Sequence, residues 1–567
     1  MPTRTLNQRL TDWFAPSAPW GVTPRGLAIW MCAATFLVFA AHGAWPTPDS
    51  NEANYLGKAK HYWNPEWCGQ DFYFQSADAH PVFYWTFGWL TLLMPLPAVA
   101  WIGRIAVWIG LAIGWQRLSS QLLRRIEFGP LAAATFVLLA ERCHMAGEWV
   151  VGGIEGKSIA FVFIFFGLAE LAAGRWTRVF PLFGAAAAFH VLVGGWAVVA
   201  ALAAWTVVGR KQIGFVRLLP YLIIGGVLAS PSVWYGLRLT RNVDPTIVAE
   251  ANFLYVVERL PHHLWPERFQ ALIPRHIAVM ATTAVLCGVL TGFPWTYFRR
   301  KPDAETSIDR LNPGGWRAIA VFFCAAAGIA LIGMALPILL KDRPEQLHAL
   351  MRYYWFRASD AYTPLVCALA AWRCLELLMD WNPSLAVTPL LGMGVLLVWD
   401  LGEQIPHWPF DVPGIHAARV DSRPDAVAGK KDFDPADWRA TCAWISANTP
   451  ESAVFLTPRG NKTFKWYAKR AEVVTVKDFP QDAVGIQNWW ARLNVLHANP
   501  DKSSPRRWLR SPAEKGLDEL RRLAGDYGAE YVLIQYLDEV PELPLTPLYR
   551  QGNFAVYRLA PVKQAEL

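Results

Sequence analysis

The sequence predicts a multi-pass α-helical membrane protein with a C-terminal α/β domain, and three observations carry that expectation. Of 567 residues, 54% are hydrophobic and 30 are tryptophan, with a mean hydropathy of +0.20, which is too apolar for a water-soluble enzyme. Apolar stretches long enough to cross about 30 Å of hydrocarbon as helices recur from residue 26 to about residue 405. Beyond residue 404 no window can span a bilayer, charges are frequent, and short β-rich runs such as 453–456 alternate with helical patterns. The expected division is a transmembrane part, 1–405, and a soluble part, 406–567.

The spans follow from the excess of Lys and Arg in cytoplasmic loops. Arg4, Arg9 and Arg25 precede a first span at 27–45, an uncleaved anchor, so the start is expected in the cytoplasm and the loop 46–81 outside. The cluster Arg117, Arg124 and Arg125 then belongs inside. One crossing at 98–115 satisfies this and leaves 82–94 as a short apolar helix at the outer interface, cut off by Pro95 and Pro97. Spans at 130–148 and 158–174 place 148–157 outside and Arg175 with Arg178 inside. Residues 179–209 lie between two basic clusters and are too long for one span, so a hairpin of two short helices is expected, turning near 190–196. Spans at 218–237, 272–293, 318–340, 361–378 and 385–401, with Arg299, Arg300 and Lys301 inside, bring the total to about eleven. The soluble domain is then extracytoplasmic, at the plasma (inner) membrane. Its pattern reads helix (438–449), strand (453–458), short helix (463–470), strand (471–476), helices, strand (529–535) and strand (554–559).

The net charge of +8 reads as a set of topology signals rather than a nucleic-acid footprint, because the arginines sit in short segments between spans. The eight cysteines lack CxxC spacing, so neither a disulfide framework nor a zinc site is implied. Walker, GxGxxG, GxSxG and HExxH motifs are missing from suitable contexts, which weighs against ATP-driven transport and the common hydrolase chemistries.

The polar motifs fall on the expected outer side. The first loop, PTPDSNEANYLGKAKHYWNPEWCGQDFYFQSADAH, supplies Asp49, Glu52, Lys58, Lys60, His61, Asp71, Asp78 and His80. Carboxylates partly desolvated beside aromatics gain basicity and suit taking a proton from a hydroxyl, with Glu52 and Asp71 the preferred pair. The alternative is a solvated loop whose acids pair with Lys58 and Lys60. In ERCHMAGEWVVGGIEGK, Glu148, Glu155 and Lys157 stand in a Gly-rich turn, either as working groups or as a surface pair. His190 in FHVLVGGW is a ligand-binding or a packing residue. The loop 238–268 carries Arg241, Arg259, His262, His263 and Arg268, which suit a phosphate better than a metal because adjacent histidines point apart. RYYWFRASD adds Arg352, Arg357 and Asp360, or else forms an aromatic belt with snorkelling arginines. In the soluble domain PRGNKTFKWYAKR brings Arg459, Lys462, Lys465, Lys469, Arg470, Trp466 and Tyr467, and VKDFPQD brings Lys477, Asp478 and Gln481. Such a mixture suits a sugar or phosphate-bearing ligand, or a rim facing anionic lipid.

This arrangement resembles the GT-C superfamily of membrane glycosyltransferases. The likeness rests on the acidic first loop (Asp49, Glu52, then Tyr55), the second acid in QDFYF (Asp71), the interfacial helix, about eleven spans and the outer α/β domain. NEANYLGKAKHYWNPEW, AGEWVVGGIEGK, FHVLVGGW, RYYWFRASD and TFKWYAKRAEVVTVKDFPQD look, more narrowly, like a group of uncharacterised bacterial GT-C-like proteins. The superfamily resemblance implies inverting transfer of a sugar from a polyprenyl-phosphate donor to a glycan, lipid or protein acceptor. Glu52 or Asp49 would be the general base, and Asp71 would orient the acceptor or help bind a divalent metal. Arg241, His262 or Arg352 would hold the phosphate. The common form of the family has adjacent acids, so the separation of Asp49 from Glu52 leaves the identity of the base open. His80, Glu155, Lys157, His190, His263, Arg357, Lys465 and Trp466 complete the substrate-binding candidates. Two competing classes stay in view: a transporter or flippase for a lipid-linked or anionic substrate, and a non-catalytic glycan-assembly factor.

Overall fold

The computed structural model describes residues 24–292, 313–405 and 433–559. Arg4, Arg9, Arg299, Arg300 and Lys301, used to orient the chain, lie outside the described residues, as does 406–432 at the expected domain boundary. Seven helices are long and apolar enough to cross a membrane: Arg25–Gly43, Leu96–Leu122, Phe215–Arg238, Ile273–Gly292, Gly314–Leu339, Arg357–Trp381 and Pro383–Gln404. By length and composition the chain is a multi-pass helical membrane protein.

Four more apolar helices stand where spans are expected but are shorter: Phe128–Arg142 (15 residues), Gly156–Ala172 (17), Trp176–Phe189 (14) and Val191–Val207 (17). Two local causes cut them. After Arg142 the chain leaves the helix, and the backbone N–H groups of Met145 and Ala146 donate to the Asp360 carboxylate at 2.9 Å each. The extended backbone of His190 (φ −152°) separates the two helices of the expected hairpin. The segment expected at the interface consists of Pro81–Phe83, Tyr84–Gly88 and Leu90–Leu93. It leaves Trp85, Trp89, Leu92 and Leu93 exposed, an apolar face that headgroup-level lipid would cover.

The helices pack through aromatic stacks and small-residue contacts. Trp115, Phe136 and Phe165 meet at ring-centroid distances of 5.3, 5.7 and 5.9 Å. Trp176–Phe189 lies so close to Phe215–Arg238 that a Cβ on Gly184 would collide with the backbone of Gly225, the kind of approach that only small residues permit between membrane helices.

The C-terminal part holds a five-stranded sheet of order β2-β1-β3-β5-β4. Its strands are β1 (Val454–Leu456), β2 (Ala471–Glu472), β3 (Tyr531–Gln535), β4 (Tyr549–Gln551) and β5 (Phe554–Arg558). β1 is parallel to both β2 and β3, while β5 is antiparallel to β3 and β4. Alternation along the strands builds two cores. Phe455, Leu533 and Phe554 meet Trp438 and Cys442 of Pro435–Asn448. Val454, Leu456, Val532 and Ile534 meet Trp489 of Ala483–His497 and Leu520 of Leu517–Tyr527. β2 is shorter than the expected 471–476, although the Val473 N–H still donates to the Phe455 carbonyl of β1 at 3.0 Å. β4 has no apolar alternation and went unforeseen.

The carboxyl ends of β1 and β2 face the first loop. Asn54 donates to Asp478 at 2.7 Å, and the Ala79 N–H donates to Gln481 Oε1 at 3.2 Å. Ligands of α/β folds gather at the carboxyl edge of parallel strands, and here that edge is closed by the membrane part.

Candidate functional site

Glu52 and Asp49 anchor one backbone loop to another. Glu52 Oε1 accepts from Arg104 Nε at 2.6 Å and from the Ile154 N–H at 2.8 Å, and Oε2 accepts from Arg104 Nη2 and the Asp49 N–H. Arg104 also donates to the Trp45 carbonyl. Asp49 accepts from the N–H groups of Ser50 and Gly153, at 2.6 and 3.0 Å. A Cβ at Gly153 would stand 2.8 Å from Glu52 Oε1, so the Gly-rich turn of the second motif serves this close approach. Both acids are buried, with every oxygen engaged.

Asp71 belongs to a second cluster, shared with the C-terminal part that holds the sheet. Lys465 lies 3.2 Å from Asp71 and 3.2 Å from Glu472, and it also pairs with Asp478. Burial would pull its ammonium down, but Asp478, Asp71 and Glu472 together hold it well above its ordinary pKa. Burial pushes Asp71 and Glu472 up. The ammonium occupies the centre that a cation held by these acids would take, and among the described residues no group of three or more His, Cys, Asp or Glu is arranged to hold a metal ion.

The remaining candidates converge beside these anchors. Glu155, His190 and Phe356 precede the helices Gly156–Ala172, Val191–Val207 and Arg357–Trp381, so three helix N-termini, each favourable to negative charge, open onto one cluster. Lys157 bridges Glu148 (3.1 Å) and Glu155 (3.2 Å), and Glu148 holds Arg357 at 2.6 Å. Arg357 in turn donates to His190 Nε2 at 3.0 Å. The His80 and His190 rings are 5.7 Å apart, and His80 Nε2 lies 3.2 Å from the Tyr55 hydroxyl. Burial lowers the pKa of His80 and raises that of Glu155. A narrow apolar crevice lined by Phe161, Leu192, Trp196, Ala361 and Tyr362 adjoins Arg357.

Across the cluster stands a row of cations. Asn51 donates to Glu155 at 2.8 Å and accepts from Lys477 at 2.7 Å, joining the Gly-rich turn to the C-terminal part through one amide. Burial, then Arg259 and Lys462, pull Lys477 down to about 7. Burial and Arg259 hold His262 at about 4, and burial with the neighbouring His262 lowers His263 well below its ordinary value, its Nδ1 lying 2.5 Å from the Ala146 carbonyl. Arg259 Nε has no hydrogen-bond partner among the described residues. Arg352 donates to Asn252 at 2.6 Å.

Two expected binding residues lie elsewhere. Arg241 is exposed, its guanidinium 5.6 Å from the Trp234 ring, and Trp466 is packed in the core. Arg104, Asn51 and Asn461 are residues that sequence reasoning passed over. A lone arginine inside an apolar span signals a buried partner, whereas nothing in the sequence marks Asn461.

Comparison with known proteins bears on the soluble domain alone. A search of the curated proteins finds no match to this chain. Residues 436–496, which include Lys465 and Lys477, match a family described as a domain of unknown function (DUF6798).

Proposed function

We propose that the protein is a GT-C-like glycosyltransferase that moves a sugar from a polyprenyl-phosphate donor to an acceptor hydroxyl. In this reading about eleven helices cross the plasma membrane, the N-terminus is cytoplasmic and the soluble domain is extracytoplasmic. The observation that carries it is the Glu155–Asn51–Lys477 bridge. It sets a carboxylate of raised pKa opposite a surplus of cations, at a meeting of three helix N-termini beside an apolar crevice.

Transfer from a lipid-linked phosphate needs two of those parts together: cations for the departing phosphate and a base for the acceptor. Glu155 takes the place of the base, because Glu52 and Asp49 are occupied by Arg104 and backbone amides. Its raised pKa is the feature that proton abstraction near neutral pH calls for. Arg259, Lys477 and Arg357 are placed to receive the phosphate, and His80 with Tyr55 borders the acceptor side. Purified protein incubated with labelled polyprenyl-phosphate sugars should release polyprenyl phosphate and form a glycosylated product. Movement of intact donor across vesicles without bond cleavage would establish the flippase instead. A protease-accessible C-terminal tag on the cytoplasmic side would reverse the proposed orientation.

A further inference from the structure

A second polar surface runs outward from Lys477 along the soluble domain. The Val476 N–H donates to the Arg459 carbonyl at 3.0 Å, which sets the loop after β1 beside the loop holding Lys477. Arg459 and Arg507 both stack on Trp508, at 5.2 and 5.1 Å from its ring centroid, and Arg507 also lies 4.9 Å from Trp490. The two tryptophans meet edge to face at 5.9 Å. Arg259 stands 5.9 Å over Phe479, and the neighbouring Glu258 binds Arg507 at 2.8 Å. The result is a surface on which guanidinium groups and indole rings alternate.

Its polar atoms are unusually short of partners. Both amide atoms of Asn461, a fully buried side chain, lack a hydrogen bond among the described residues, as do Arg459 Nε and Arg259 Nε. Buried polar groups nearly always find a partner. An amide offering donors and an acceptor, two positions from Arg459 in the same loop, suits a ligand with both hydroxyls and negative charge. Indole faces add a surface for the C–H faces of sugar rings.

We infer that this surface, formed by Arg259, Arg459, Trp490, Arg507 and Trp508 with the loop that carries Asn461, binds an acidic saccharide chain. That this chain is the acceptor of the transfer rests on the function proposed above; the binding site itself does not. Anionic lipid headgroups satisfy the charge but offer no sugar-ring face to the indoles of Trp490 and Trp508.

The test titrates the purified full chain in detergent, by calorimetry, with tetragalacturonate, with neutral maltotetraose and with phosphatidylglycerol vesicles. Tetragalacturonate is expected to bind at least about tenfold more tightly than maltotetraose. Arg507→Gln, at an exposed position where folding is not at stake, and Trp508→Ala should each weaken it about five- to tenfold. Equal binding of the two saccharides, no binding of either, or unchanged affinity in both variants would overturn the inference. So would vesicle binding that is lost in Arg507→Gln while tetragalacturonate shows none. Wild-type protein that binds tetragalacturonate but never cleaves a lipid-linked donor would leave the saccharide-binding surface standing and remove the transferase. Cleavage and transfer without tetragalacturonate binding would do the reverse.

Discussion

Arg104 and Glu52 form a two-pronged ion pair, with Nε to Oε1 at 2.6 Å and Nη2 to Oε2 at 2.5 Å, and neither side chain is exposed. An arginine within an apolar helix is tolerated when its charge and donors are satisfied. Glu52→Gln would leave that guanidinium uncompensated, at a cost of about 3–5 kcal/mol. A lower Tm and lower yield in detergent are expected, with partial recovery in the Glu52→Met/Arg104→Met double variant, where neither charge is stranded. A wild-type Tm in Glu52→Gln would show that the pair does not carry this load.

Glu155→Gln retains the bulk and an acceptor oxygen for Asn51, so the fold should persist. Transfer from a polyprenyl-phosphate sugar should fall by about 10²–10⁴-fold, the usual contribution of a general base. Single-turnover rates with saturating donor would separate this from a binding defect. A rate within twofold of wild type would remove Glu155 from the proton transfer.

Lys477 gives the cleft a pH dependence near neutrality. Its pKa of about 7 is set by burial, then Arg259 and Lys462, with Lys157 acting in the same direction and Glu155 opposing. An anion bound beside it favours the ammonium, so sulfate, whose own charge is constant here, should bind best below about pH 7 and more weakly as the pH rises. His262, at about 4, stays neutral over this range and contributes no slope. Lys477→Met should flatten the profile measured by calorimetry. For stability, the unfolded chain holds more protons between about 7 and the ordinary value of 10.5, so the folded state gains as pH rises through that window.

Lys465→Met would strand Asp71, Glu472 and Asp478 around an apolar side chain. Loss of about 3 kcal/mol or more from the contact between first loop and soluble domain is expected, read as faster limited proteolysis of both segments. Asp71→Asn should be milder, because the ammonium keeps two carboxylates.

Hydropathy located the helices well, since lipid-facing length is a property of the local sequence. The helix expected at 98–115 extends to Leu96–Leu122, and the hairpin breaks at His190 as its position suggests. The partners of the charges were not legible, because they depend on contacts between distant segments. Asn51 and Lys477 are 426 positions apart. Glu52 and Glu155 are both glutamates in polar loop motifs, and only the fold shows that Arg104 engages the first and Lys157 with Asn51 the second. β4 escaped because edge strands exposed to solvent carry no apolar alternation.

The docking of the β1 and β2 carboxyl edge onto the first loop has a consequence for biosynthesis. A ribosome making this chain releases residues 46–81 more than 350 positions before Lys465, Lys477 and Asp478 appear. Until then Asp71 and Asn54 have none of their soluble-domain partners. An arrested nascent chain with its helices already inserted therefore lacks the cleft, and the earliest translated motif is among the last to be completed.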